Sequence, residues 1–154
     1  MTLPQFAYLV AGPRDFVVNV AINMSIAWWL YRHEATTPWV GEPSVASMIV
    51  PMCFFLTVGT TFFGFLNGTV QRKKGLVTPA LAPGVRWIRW AALTALAYGL
   101  FAAAVSAFVL WAVHVSWPDI VMPRRMAVVG IGLLAGVMAY LLHSHAVLKT
   151  ARLG

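Results

Sequence analysis

The stretch DFVVNVAINMSIAWWLY, Asp15 to Tyr31, decides the fold. It is long and apolar enough to read as a membrane-spanning helix, because a helix of roughly 20 residues crosses a ~30 Å hydrocarbon core. Yet Asp15, Asn19 and Asn23 recur within it every four residues. That spacing stacks the three side chains on one face. Carboxamides facing acyl chains are costly, so this face must meet protein, water or a ligand.

Three more apolar runs follow, and together the four cover about 15–32, 45–70, 87–115 and 126–148. With 60% apolar and 10% charged residues in 154, the chain is too hydrophobic for a soluble domain of its size. Lipid offers no partner to backbone amides, so the runs must be helical. The expectation is an all-α membrane protein of four transmembrane helices in one domain, residues 1–154. The opening residues MTLPQFAYLVAG read as a short interfacial segment, 1–12, and not as a cleavable leader, since they lack a basic start. Gly12-Pro13 then marks the entry to the first span.

The net charge of +7 does not point to nucleic acid. Its lysines and arginines sit in the connections, where the positive-inside rule accounts for them. With the N-terminus inside, Arg14, Arg72, Lys73, Lys74, Arg86, Arg89, Lys149 and Arg152 fall on the inner side, and Arg32, Arg124 and Arg125 outside. This predicts both termini in the cytoplasm, in a membrane such as a bacterial inner membrane.

The second run carries Thr57, Thr60, Thr61, Gly64, Asn67 and Gly68 at helical spacing, and Pro51 near its start. Gly64 and Gly68 form a GxxxG pair suited to close helix contact, as do Gly99 in the third run and Gly132 and Gly136 in the fourth. The threonine and asparagine stripe makes the second helix the expected partner of the Asn19–Asn23 face. Pro79 and Pro83 discourage a helix in the long basic connection between the second and third runs. The two halves also share a plan, each with a Trp- and His-bearing helix end, a Trp/Pro loop and a glycine-striped second helix. That is the pattern of two parallel-related hairpins about an axis along the membrane normal, although few residues are identical.

Candidate chemistry is sparse. Cys53 is the single cysteine, which excludes an internal disulfide. None of the four acids is central in a span, and no metal-ligand spacing appears. His33 and His114 fall at matching depth at the outer helix ends and are the one weak pair for haem or a metal. No cofactor is otherwise signalled. Three functions fit the polar face of Asn19, Asn23, Thr57, Thr61, Asn67 and His143. It lines a route through an oligomeric small-solute or ion transporter or channel. Alternatively it is hydrogen-bonding glue in a non-catalytic accessory or assembly subunit, with Phe54, Phe55, Phe62, Phe63 and Phe65 turned to partners or lipid. The third reading is a haem- or quinone-binding electron carrier. The partners in all three are the lipid bilayer and copies of itself or other membrane subunits. No reading makes it an enzyme with an identifiable catalytic set.

Overall fold

A computed structural model describes residues 1–81, 84 and 86–153; the expectation for Pro83 lies outside them. The described chain is all-α apart from one short strand pair. A four-residue helix, α1 (Leu3–Phe6), runs through a π turn at Ala7–Ala11 into α2 (Gly12–Leu30). Strand β1 (Thr36–Pro38) leads to α3 (Val45–Lys73), then α4 (Ile88–Ser116), β2 (Val121–Pro123) and α5 (Arg124–Lys149), closed by a 3₁₀ turn at Thr150–Arg152. The long helices agree with the four apolar runs to within a few residues at each end. α3, α4 and α5 are long and apolar enough to cross a membrane. α2 does not meet that standard, because Arg14, Asp15, Asn19 and Asn23 dilute its 19 residues.

Two features at the start of the chain correct the sequence reading. Gly12-Pro13 does open α2, but without a break before it, since the backbone stays helical at both Ala11 and Gly12. Proline removes one donor, and the wider π turn leaves carbonyls without their usual partners. An α5 side chain supplies a substitute at Tyr8, whose carbonyl accepts from Tyr140 Oη at 3.4 Å, while the Ala7 carbonyl keeps the Gly12 amide and accepts from Ser144 Oγ at 3.0 Å as well. Residues 1–11 are also more than an interfacial strip. Leu3, Phe6, Ala7 and Ala11 are buried with Val77 and Val147, and the Leu3 amide donates to Thr78.

The order of packing departs most from expectation. α2 packs on α5, α5 on α3, and α3 on α4, while α2 and α3 do not pack side by side. The first and second helices are therefore not partners; α5 stands between them. The cause is legible in its glycines. A Cβ at Gly132 or Gly136 would strike Met24 or Val20 of α2. On the other side, a Cβ at Gly64 of α3 would come within 2.7 Å of Ala146 Cβ and 2.9 Å of the His143 carbonyl. Gly68 meets Thr150 in the same way, at 2.9 Å. Small residues thus let α5 approach two helices at backbone distance, and dispersion contacts rise steeply with such approach. Cys53 and Met138 meet in the same α3–α5 seam, sulfur to sulfur at 3.8 Å.

The row α2–α5–α3–α4 reads the same from either end when the two hairpins are exchanged. The strands join this pattern, since β1 and β2 come one from each hairpin and pair antiparallel about Thr37↔Met122. Three-residue strands built around prolines have no alternation to betray them in sequence. Tyr31 is fully buried beside this pair and donates to the Ser44 carbonyl at 2.7 Å, while Trp39 Nε1 donates to that of Leu110 at 3.1 Å. At the opposite end Arg72 is buried, its guanidinium donating to the carbonyls of Pro79, Ala80 and Thr150. Both chain ends and the 72–81 segment therefore share one end of the molecule.

The two glycine classes should separate cleanly in thermal unfolding. Gly136→Leu and Gly64→Leu force backbones apart and should each cost about 1–3 kcal/mol, the usual penalty of overpacking. Gly59 and Gly130 have nothing within 4 Å of an added Cβ, and leucine there should leave the midpoint nearly unchanged. Equal losses at all four positions would refute the seams described here.

Candidate functional site

Because α5 separates α2 from α3 on one side only, the two helices flank an open cleft of about 780 Å³. α2 contributes Asn19 and Asn23 at the spacing that first drew notice, with Asp15 below them. α3 contributes Ser47, Pro51, Gly59, Thr60 and Asn67, and His143 of α5 forms part of the floor. The cleft divides by polarity along its length. Its charged groups all lie toward the end that holds the termini, where Arg14, Asp15 and His143 sit with Asn19 and Asn67 beside apolar Val18, Phe63 and Leu66; toward the other end Ile26, Leu30, Met48, Met52 and Phe55 leave Ser47 the one polar side chain in the lining.

At the polar end one imidazole joins three helices. His143 is 1% exposed. Its Nδ1 contacts Asp15 Oδ2 from α2, and its Nε2 meets the Asn67 amide of α3 at 3.4 Å. A neutral ring can donate to the carboxylate from Nδ1 and accept from the carboxamide at Nε2. A second proton on the ring makes Nε2 a donor, which the Asn67 side chain can answer only by turning its oxygen inward. Arg14 also reaches Asp15, at 3.3 Å, from its exposed position. Asp15 is thus a cleft residue held from two sides.

The asparagines are less demanding. Asn19 Nδ2 donates to the Asp15 carbonyl at 2.8 Å, and Asn23 Nδ2 to that of Asn19 at 2.9 Å. Each amide satisfies a donor on its own helix and leaves its oxygen uncommitted, which is how an asparagine tolerates an apolar wall. No partner from another helix is required for that.

The other predicted residues are distributed differently. Thr57 and Thr61 are buried, on the α3 face that carries Gly64 and Gly68 toward α5, and do not line the cleft. Their hydroxyls have no hydrogen-bond partner among the described residues. Thr60 takes the cleft position, its hydroxyl donating to the Leu56 carbonyl at 2.6 Å. Gly99 packs on Phe54 and Val58. Phe55 and Phe63 are exposed in the cleft, whereas Phe65 is wholly buried and has no outward role. His33 lies in a depression with Arg32, Glu34, Arg124 and Arg125 that does not include His114. Sequence spacing put Asp15 on the face of Asn19 and Asn23 and named Asn67 and His143, but left Asp15 out of the polar set and missed the apolar wall. The signal for Asp15 was its place in the same four-residue series.

No protein-family model, curated protein or solved structure matches the chain. The cleft therefore stands on its own geometry.

The three-helix bridge yields a stability test. His143→Leu leaves the half-buried Asp15 carboxylate with Arg14 alone and should cost about 1–2 kcal/mol, the scale of a lost polar contact to a charged group. Adding Asp15→Asn to that variant should recover part of the loss, so the pair is non-additive in a double-mutant cycle. Strict additivity in thermal unfolding would show that the two groups do not interact.

Proposed function

We propose that this chain is an integral membrane protein in which α2, too, crosses the bilayer, and that it carries a small amphipathic solute in the α2/α3 cleft. The observation that carries the reading is the lengthwise division of the cleft, with Asp15, His143 and Asn67 at one end of an apolar trough. A ligand pocket of this size is typically apolar with a few polar groups that fix orientation. The same arrangement explains how α2 tolerates the membrane: its polar residues turn to the cleft and not to acyl chains. Eight basic residues at the end with the termini, against three at the other, favour a cytoplasmic location for both termini, as in a bacterial inner membrane. The cleft is open along one side, so a second copy seated across it would convert the trough into an enclosed route.

A second reading, an accessory subunit of a larger membrane assembly, draws on α4. Only 11% of its most apolar window is buried, and Leu93, Leu100, Phe101 and Phe108 all face outward. Lipid covers such a face as readily as protein does, so it distinguishes less than the cleft.

Thiol chemistry tests the cleft directly. In a Cys53→Ala background, single cysteines at Asn67 and Phe55 probe the polar end and the apolar wall. A charged, water-soluble thiol reagent should modify the cysteine at Asn67 from the side of the termini, and a lipid-soluble maleimide should modify both. Dodecylamine or dodecanoate should slow labelling at both positions together, and the more protective of the two identifies the preferred head group. Failure of every reagent to label either site in folded protein would exclude an accessible cleft.

A further inference from the structure

At the opposite end from the carboxylate–imidazole bridge, a second depression of about 430 Å³ is lined by Arg32, His33, Glu34, Arg124 and Arg125 with two small neighbours. Three guanidiniums face one carboxylate there. None of them makes an ion pair with Glu34, since among the described residues the ion pairs all involve Asp15. Two of the guanidiniums are held in place. Arg124 stacks over Trp28 at 4.5 Å and donates to the Arg32 carbonyl at 2.9 Å. Arg32 stacks over Trp29 at 5.1 Å and donates from Nε to His33 Nε2 at 2.9 Å, which leaves the His33 Nδ1–H free to donate. Arg125 makes no hydrogen bond or ion pair with any described residue.

The charge is also on the wrong end of its helix. Arg124 and Arg125 begin α5, where the backbone dipole favours anions and repels cations. That turn has no acidic residue and no side-chain cap. Among the described residues, Glu34 is the one acidic group in this depression, which leaves a surplus of positive charge there. Planar guanidiniums fixed on aromatic faces present paired donors suited to phosphate oxygens. Trp28 and Trp29 are both exposed at the same level, as aromatic residues are at the head-group boundary of a bilayer.

We infer that this depression binds an anionic phosphate group, with Arg32 and Arg124 as the preset fork and Arg125 as the closing cation. The site is separate from the α2/α3 cleft and does not depend on its function. An anionic lipid head group and a free phosphate share this chemistry, and the experiment tells them apart.

The full chain, purified in maltoside, is titrated calorimetrically with short-chain phosphatidylglycerol, short-chain phosphatidylcholine and inorganic phosphate. Phosphatidylglycerol should bind about tenfold more tightly than phosphatidylcholine, and Arg125→Gln should remove about that factor without shifting the unliganded unfolding midpoint. Arg125→Lys should retain part of the affinity, because the closing charge stays and only its own paired N–H donors are lost. If inorganic phosphate at millimolar levels displaces the lipid and binds alone, the site reads the phosphate itself; if it does not, the site reads the anionic head group. Equal binding of the two lipids with no effect of phosphate would overturn the inference, as would an Arg125→Gln variant that binds phosphatidylglycerol unchanged.

Discussion

Close approach of backbones along both sides of α5 is the constraint on which the rest of the structure depends. Gly132 and Gly136 admit Val20 and Met24 of α2, while Gly64 and Gly68 of α3 admit Ala146 and Thr150. In a bilayer, apolar side chains gain little by leaving lipid for one another, so helix association rests on dispersion and hydrogen bonds at short range. Helices with small residues can reach that range and bulky ones cannot. α5 stands inside the row, seated on α2 and α3 through such seams, and α3 stands beside it, taking α5 on one side and Gly99 of α4 on the other.

The cleft is a consequence of that row. Once α5 keeps α2 and α3 apart, the polar series on α2 has no helix to meet, and the facing side of α3 stays uncovered. His143 then becomes the link between the two walls, reaching Asp15 on one and Asn67 on the other. Two asparagines that satisfy their amides on their own carbonyls complete a wall that is polar without being strained. The apolar half of the trough comes from residues such as Ile26 and Phe55, exposed apolar side chains taken singly, with Met52 of the core beneath them. Their alignment above the polar group is what makes the trough amphipathic.

Much of this was legible in the sequence. Apolar runs set helix number and extent because a long apolar run satisfies its backbone hydrogen bonds internally as a helix. The glycine pairs were recognisable as contact faces. Their partners were not, since a GxxxG pattern says that something comes close without saying what. The same limit misdirected the threonine stripe: Thr57 and Thr61 share a face with Gly64, and that face turns to α5, away from Asn19 and Asn23. Gly12-Pro13 marked the start of α2 but not that the chain before it is also helical, with Tyr140, 132 residues on, donating to the Tyr8 carbonyl there. The relation between the hairpins, faint in residue identities, is plainer in the contact order and in the β1–β2 pair, where side-chain identity matters less than the path of the backbone.

The central claim is that α5 separates α2 from α3, and cysteine cross-linking in native membranes tests it most directly. A disulfide needs Cα atoms within about 7 Å. Met138→Cys, opposite the native Cys53, should oxidise to an α3–α5 disulfide. In a Cys53→Ala background, pairs across the cleft that join Asn19 or Asn23 to Gly59 or Thr60 should resist disulfide formation, yet be bridged by a longer bifunctional maleimide. Efficient disulfides between α2 and α3, with none between Cys53 and position 138, would contradict the account.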